Sequence, residues 1–285
     1  MFADMKSVPI VTTIAQLRAE VARWRGKGDA IGLVPTMGAL HEGHLSLVRQ
    51  TQNRCARTVA SIFVNPAQFA PNEDFDRYPR TLESDAEKLS QAKIDLIFAP
   101  TVAEMYPKGF ASRIEVAGPS VGLETDFRPH FFGGVATVVA KLLIAAMPDF
   151  AIFGEKDYQQ LLVIRRLTAD LGLPIEIGGG AIVREDDGLA MSSRNAYLNP
   201  EQRKIAGQLN RILSGAAQSV RAGKSIATAE AHARAELLSA GFDSIDYVAI
   251  RDGATLEKIV SVDRPARILA AVKIGRTRLI DNMAV

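Results

Sequence analysis

Two histidines three residues apart, His41 and His44, stand in the stretch "PTMGALHEGH" (Pro35–His44). The run before it, "AIGLVPT" (Ala30–Thr36), reads as a buried strand, and "HLSLVRQTQNRC" (His44–Cys55) as the helix after it. In an open parallel sheet, ligands sit beyond the carboxyl ends of strands, where helices begin. Gly38 and Gly43 let the backbone turn tightly and approach a ligand there. A helix starting near Glu42–Gly43 offers unpaired N–H groups and a positive dipole end, which suit phosphate. His41 and His44 share one side of its first turn. Each can donate to phosphate oxygens, more effectively as charge builds in a transition state. The stretch is neither G-x-x-x-x-G-K-[ST] nor G-x-G-x-x-G. It also lacks H-E-x-x-H, and His130 and His232 are far along the chain, so zinc is a poor reading. The competing explanation is a strand–helix junction with two solvated histidines.

Four further stretches carry polar chemistry. "FVNPAQFAPNEDFDRYPRT" (Phe63–Thr81) is a long loop at the same sheet edge, where Asn65 and Gln68 can each donate and accept. "FGEKDYQQL" (Phe153–Leu161) supplies Lys156 as a cation for phosphate, Asp157 as an acceptor for a ribose hydroxyl, and Gln160 one turn later. "AMSSRNAYL" (Ala190–Leu198) groups two hydroxyls, Ser192 and Ser193, with the guanidinium of Arg194. "RTLESDAEKL" starts a helix at Thr81 and carries Glu83 and Asp85, and a carboxylate near a polyphosphate commonly holds magnesium. Each has an ordinary alternative: a solvated loop, a helix start with favourable acids, a capping turn.

The elements that must position these groups follow from hydrophobic period. Ile14, Leu17, Val21 and Trp24 keep helical spacing, with Thr12 or Thr13 as N-cap. Strands are expected at Thr58–Asn65, Ile94–Pro100, Phe150–Glu155 and from Pro174. Helices are expected at about Thr81–Ala92, Val135–Met147 and Asp157–Gly172. Nearly wholly apolar strands separated by helices imply a parallel sheet covered on both faces. After Gly188 the pattern changes: one helix over Pro200–Val220, another over Ile226–Ala240, strands at Ile245–Asp252 and Ala266–Gly275, and a short terminal segment. The expected fold is therefore α/β: a parallel-sheet domain, residues 1–182, and a smaller α+β domain, residues 183–285.

Composition narrows the function. At 285 residues, with 47% hydrophobic and 23% charged residues, the chain has the profile of a soluble globular protein. A net charge of +2 without a basic run argues against nucleic acid. The start carries Asp4 and Lys6 and lacks the apolar core of a secretory signal, and no apolar stretch is long enough to cross a bilayer. With Cys55 as the single cysteine there is neither an intrachain disulfide nor a zinc–thiolate cluster, and Cys55 reads as a small buried residue on a helix. A cytoplasmic protein with no membrane partner is expected.

Taken together, "PTMGALHEGH", "FVNPAQF", "YPRT", "FGEKDYQQ" and "MSSRN", in this order and spacing, closely resemble the pantothenate synthetase (pantoate–β-alanine ligase) family over essentially the whole chain. The resemblance implies a Rossmann-like nucleotidyltransferase domain at residues 1–182 with a smaller C-terminal lid, and a cytoplasmic homodimer. It implies condensation of pantoate with β-alanine at the expense of ATP with magnesium, through pantoyl adenylate, releasing pyrophosphate and then AMP. Carried onto this sequence, it makes His44 the proton donor and His41 its partner, with Lys156, Ser192, Ser193 and Arg194 as further catalytic groups. Met37, Gly38, Ala39, Leu40, His41, Glu42, Gly43 and His44 would line the ATP site. So would Gly154, Glu155, Lys156, Asp157, Val183, Met191, Ser192, Ser193 and Arg194, with Val183 against adenine. Gln68, Gln160, Met37, Asn65 and Tyr78 would meet pantoate or β-alanine, and Asp85 is the candidate magnesium carboxylate. One departure stands out: where the family reads R-P-x-H-F-x-G-V, this chain has "RPHFFGGV", with Phe131 at the histidine position and His130 one place earlier. The family role is not carried to His130.

Other nucleotidyltransferases have no reason to combine "NPAQF" with "GEKDYQQ". An aminoacyl-tRNA synthetase would show a lysine-rich signal loop where this chain has "MSSRN". A silent nucleotide binder would be expected to have lost His44, Lys156 or Arg194, and all three are present.

Overall fold

The architecture comes from a computed structural model that describes residues 8–71 and 73–285. Asp4 and Lys6 therefore lie outside the described residues, as does Asn72 within the long loop. Strands β1 (Ile10–Val11), β2 (Ile31–Thr36), β3 (Arg57–Ile62), β4 (Leu96–Phe98), β5 (Phe150–Gly154) and β6 (Glu176–Gly180) form one parallel sheet in the order β1-β4-β3-β2-β5-β6. Helices cover both faces, so the central strands have no solvent side. Ile31, Leu33, Val59, Ile97 and Phe98 are all at most 1% exposed. Helices α1 (Ile14–Arg25) and α6 (Phe131–Ala146) pack on one face through Leu17, Trp24 and Leu143. Helices α2 (Glu42–Gln52) and α3 (Leu82–Gln91) cover the other through Leu47 and Leu89. Short α4 (Val102–Met105) and α5 (Glu124–Phe127) follow β4, and α7 (Tyr158–Asp170) links β5 to β6.

Thr13 is the cap of α1: its hydroxyl accepts the Gln16 N–H at 3.2 Å, and Gln16 Oε1 accepts the Thr13 N–H at 3.2 Å. Helix α6 starts at Phe131, ahead of the expected Val135, and its first turn packs closely on two sides: Gly134 lets it press against the Pro66–Gln68 turn, and Gly133 leaves room for the Arg113 and Glu115 side chains. Cys55 is buried as expected but lies beyond the end of α2, in the connection to β3, where burial pushes its thiol pKa up.

The C-terminal part differs from expectation in two places. The single helix expected over 200–220 is two, α8 (Pro200–Ala206) and α9 (Gln208–Arg221), parted at Gly207. A Cβ at Gly207 would lie 2.5 Å from Asp187 Oδ2. The terminal segment is a full strand, β9 (Thr277–Ala284), antiparallel to β8 (Ala266–Ile274), which pairs antiparallel with β7 (Ser244–Asp252). Helices α9 and α10 (Ile226–Ser239) bury Leu209, Leu213 and Leu237 against one face of this sheet. Its other face meets the first sheet's layer through Leu269, Ala271 and Leu162.

Candidate active site

Strand order reverses between β2 and β5, which are neighbours in the sheet through Gly32↔Phe150 and Leu33↔Ala151. The crevice at such a switch point is where open α/β sheets hold ligands. The histidine turn leaves β2 and the Lys156 turn leaves β5, so the two flank that crevice. A cleft of about 1040 Å³ opens there, walled by the first sheet, the loop after β3, the 181–195 segment and the edge of the β7–β9 sheet.

The sequence candidates that line it come from several segments of the chain. Met37, His41, Gly43 and His44 do so from the first turn, and Asn65, Gln68 and Tyr78 from the long loop. Gly154, Lys156, Asp157 and Gln160 contribute from the β5 end, and Val183 and Met191 through Arg194 from the C-terminal side. The remaining candidates are used differently. Ala39 and Leu40 are not on the cleft wall, and Gly38 lines a separate hollow behind Met37. Glu42 faces out and pairs with Arg49, while the Glu155 carboxylate turns to Arg267 at 3.4 Å. His130 is exposed and off the cleft, and it is Phe131 that lines it, under the guanidinium of Arg128 at 3.8 Å.

The histidine pair is tightly built. The ring centroids of His41 and His44 are 4.1 Å apart, and the backbone N–H of His41 donates to Nδ1 of His44 at 3.3 Å. That bond fixes the neutral tautomer with the proton on Nε2 of His44. Burial lowers the His44 pKa to about 3, aided by His41, Lys156 and Lys88. Burial, then Lys156 and Lys88, lowers that of His41 to about 4. Both rings are therefore neutral N–H donors around neutral pH. Gly43 makes room for them, since a Cβ there would lie 2.9 Å from the His41 ring.

Asp85 is engaged with the backbone of the histidine turn. It is 0% exposed, and its oxygens accept the N–H groups of Ala39 and Leu40 at 2.8 Å each and the Thr81 hydroxyl at 3.0 Å. A carboxylate so enclosed braces the turn that leads into α2 and is not on the cleft wall. Among the described residues no group of three or more His, Cys, Asp or Glu is placed to hold a metal ion, so these residues offer no magnesium cage of their own.

Asn65 is also used otherwise than expected. Its Nδ2 donates to Gln68 Oε1 at 3.0 Å and to the Gly134 carbonyl at 3.2 Å. Its Oδ1 accepts from Tyr106 at 2.7 Å and from the Ala67 N–H at 3.2 Å. With donors and acceptor committed to neighbouring groups, Asn65 orients Gln68. On the opposite rim, Tyr78 and Ser193 share a hydrogen bond of 3.1 Å.

Several participants are not singled out by the sequence. Asp74 holds Arg194 by a two-pronged pair, 3.0 and 2.9 Å, and thereby joins the long loop to the "MSSRN" segment. Burial opposes its ionisation, but Arg194, a backbone hydrogen bond and the charge of Arg128 together outweigh burial and keep the Asp74 carboxyl below its usual range. Glu124, 5% exposed, accepts from Tyr247 at 2.7 Å and from Arg278 at 2.9 Å, tying α5 to the C-terminal sheet. Arg128 donates to Glu73 and to the Gln68 carbonyl. Only the loop's density of acids hints at Asp74. Nothing in the sequence marks Glu124 or Arg278.

A family model described as pantoate-beta-alanine ligase matches residues 9–284. The chain belongs to that family. A pantothenate synthetase from Paramagnetospirillum magneticum is 58% identical over 279 residues, covering 98% of each chain. One from Maricaulis maris is 56% identical over 281 residues, covering 98% of this chain and 97% of its own. Among solved structures, a pantothenate synthetase from Thermus thermophilus superposes with a TM-score of 0.92 at 47% identity, covering 97% of this chain and 99% of that one. A pantoate-beta-alanine ligase from Francisella tularensis, solved as a complex with "Beta-gamma ATP" and β-alanine, gives 0.82 at 33% identity, with 97% of each chain covered. Within the pantoate–β-alanine ligase fold, the cleft at the switch point is thus the part of this chain to which chemistry is to be assigned.

Proposed function

We propose that this cleft condenses pantoate with β-alanine at the expense of ATP, through pantoyl adenylate, and that the residues gathered there divide the work as follows. The observation that carries the reading is the neutral His44 at the N-terminus of α2, facing Lys156 across the crevice. ATP lies with its adenine against the Val183–Met191 strip, where the Met191 N–H bonds the Val183 carbonyl at 2.9 Å. Its phosphates lie over the first turn of α2. There His44, His41, Lys156, Ser192, Ser193 and Arg194 supply the donors and positive charge that a five-coordinate phosphorus requires.

Pantoate lies between Gln68 and Gln160. The aliphatic part of the acid meets Phe63, Val135, Val138, Val139 and Leu142, an apolar wall of the same cleft. The two amides hold the substrate without a negative charge that would compete with its carboxylate. The carboxylate attacks the α-phosphorus, pyrophosphate leaves, and the amine of β-alanine then attacks the acyl carbon with loss of AMP. Holding acid and phosphorus in line supplies much of the acceleration, because no covalent enzyme intermediate is needed. Magnesium accompanies the phosphates in this reading.

The same reading takes residue 182 as the boundary between the catalytic domain and the lid, a homodimer as the assembly and the cytoplasm as the compartment. Among the described residues no helix is long and apolar enough to cross a membrane.

The test is chromatographic analysis of nucleotides after incubation with ATP, magnesium and pantoate, with and without β-alanine. Catalytic amounts of AMP and pyrophosphate only with β-alanine present, and pantothenate in step, support the reading. ADP and phosphate would refute adenylation.

A further inference from the structure

Lys156 sits in the three-residue turn Glu155–Asp157, directly after β5, and no side chain caps that turn from within. Its anchor comes from the far end of the chain. Nδ2 of Asn282, on β9, donates to the carbonyl of Glu155 at 2.9 Å and to the carbonyl of Lys156 at 2.9 Å. Its Oδ1 accepts from the Arg267 guanidinium. The side chain is 2% exposed, and every polar group it has is committed.

Arg267 completes the grip. It reaches Glu155 Oε2 at 3.4 Å and lies over the Tyr158 ring at 3.7 Å, while the Tyr158 hydroxyl donates to the Gly253 carbonyl at 2.6 Å. The residue before Asn282 holds the other rim. Asp281, 2% exposed, pairs with Arg184 at 2.7 and 2.9 Å, next to Val183, and accepts the Asn282 N–H at 2.8 Å. Two consecutive residues of β9 thus fix the lysine turn and the strip assigned to adenine.

We propose that Asn282 is a positioning residue for Lys156: its amide sets where the ammonium stands over the phosphates. The inference rests on the role given to Lys156 in the proposed function. The site requires two donors and one acceptor on a short stem. Aspartate would set a carboxylate against two carbonyls, and alanine would leave both carbonyls unpaired. A shift of about 1 Å in a group that meets the reacting atoms costs on the order of 100-fold in rate.

The experiment is a double-mutant cycle on the full chain, reading single-turnover AMP formation for Asn282→Ala, Lys156→Gln and the double variant. Asn282→Ala is expected to slow AMP formation by roughly 10- to 100-fold, with the KM for pantoate within about 2-fold of wild type. In the Lys156→Gln background the same substitution is expected to cost less than about 2-fold, since the group it positions is already gone. An equal loss in both backgrounds, or no loss in the wild-type background, overturns the proposal and leaves Lys156 in place. A Lys156→Gln variant with wild-type rate overturns the role of Lys156 itself, and the inference with it. Asn282→Ser, which keeps one donor for the carbonyls, takes the alanine variant's place in the cycle if that variant does not fold.

Discussion

The carboxylate of Asp85 accepts the backbone N–H of Ala39 at 2.8 Å, and Ala39 stands at a φ of 51°, where a side chain is rarely found. The bond holds in place a backbone geometry that the β2–α2 turn would otherwise relax. Asp85→Asn replaces one acceptor oxygen with an amino group that faces a backbone donor. It is expected to destabilise the fold by roughly 1–3 kcal/mol, the cost of an unpaired buried donor. The urea midpoint checks this. The magnesium concentration for half-maximal rate is expected to stay unchanged, and a marked increase would restore a metal role to Asp85.

The histidine pair gives a pH dependence of known sign. An unfolded histidine titrates near 6.5, whereas the folded pair titrates at about 4 and about 3. Below pH 6.5 the unfolded chain takes up protons that the folded pair refuses. The neutral pair's contribution to stability is thus complete above 6.5 and is lost as pH falls towards 4. Melting temperature is expected to fall with acidification in this window, and less steeply in His44→Gln. Neither histidine is expected to add a limb to the rate profile between about pH 5.5 and 8, because both remain neutral donors there.

His44→Ala is expected to lower turnover by on the order of 100-fold or more, the loss of a donor aimed at developing charge. Steady-state AMP release measures it, and a rate within a few-fold of wild type removes His44 from the mechanism.

Asp74 keeps Arg194 oriented but places a negative charge at the mouth of a site meant for a polyanion. Asp74→Asn relieves the charge and loosens the fork. The KM for ATP is expected to fall, and kcat to fall by roughly 10-fold, as the guanidinium loses its orientation. Initial rates against ATP concentration separate the two effects.

Gly134→Ala would put a Cβ 2.2 Å from the Ala67 carbonyl oxygen and 2.8 Å from the Cα of Gln68. The Pro66–Gln68 turn must move, at an overpacking cost of about 1–3 kcal/mol. A raised KM for pantoate is the expected kinetic sign, with the KM for ATP little changed.

What can be read from the sequence divides along a physical line. The parallel sheet and the two motif turns are legible because each depends on local pattern: apolar runs, glycine, a helix start. The bracing groups are not. Asp85 acts on residues 45 and 46 positions away, Asn282 on residues 126 and 127 away, and Arg278 on Glu124 at 154. No periodicity encodes such pairings. Strand β9 reads only as a short segment for a related reason. Arg278, Asp281 and Asn282 look like solvated polar residues until their partners bury them. The helix over 200–220 keeps its period through Gly207, so its break leaves no signal.

Cys55, the only cysteine in the chain, lies 8% exposed with its thiol pushed towards the protonated form. The native surface therefore offers maleimide reagents no competing reactive thiol. Single cysteines placed on solvent-facing positions either side of the Asp74–Arg194 pair would carry spectroscopic labels without background, and the distance between them would show whether the mouth of the cleft opens and shuts within each catalytic cycle.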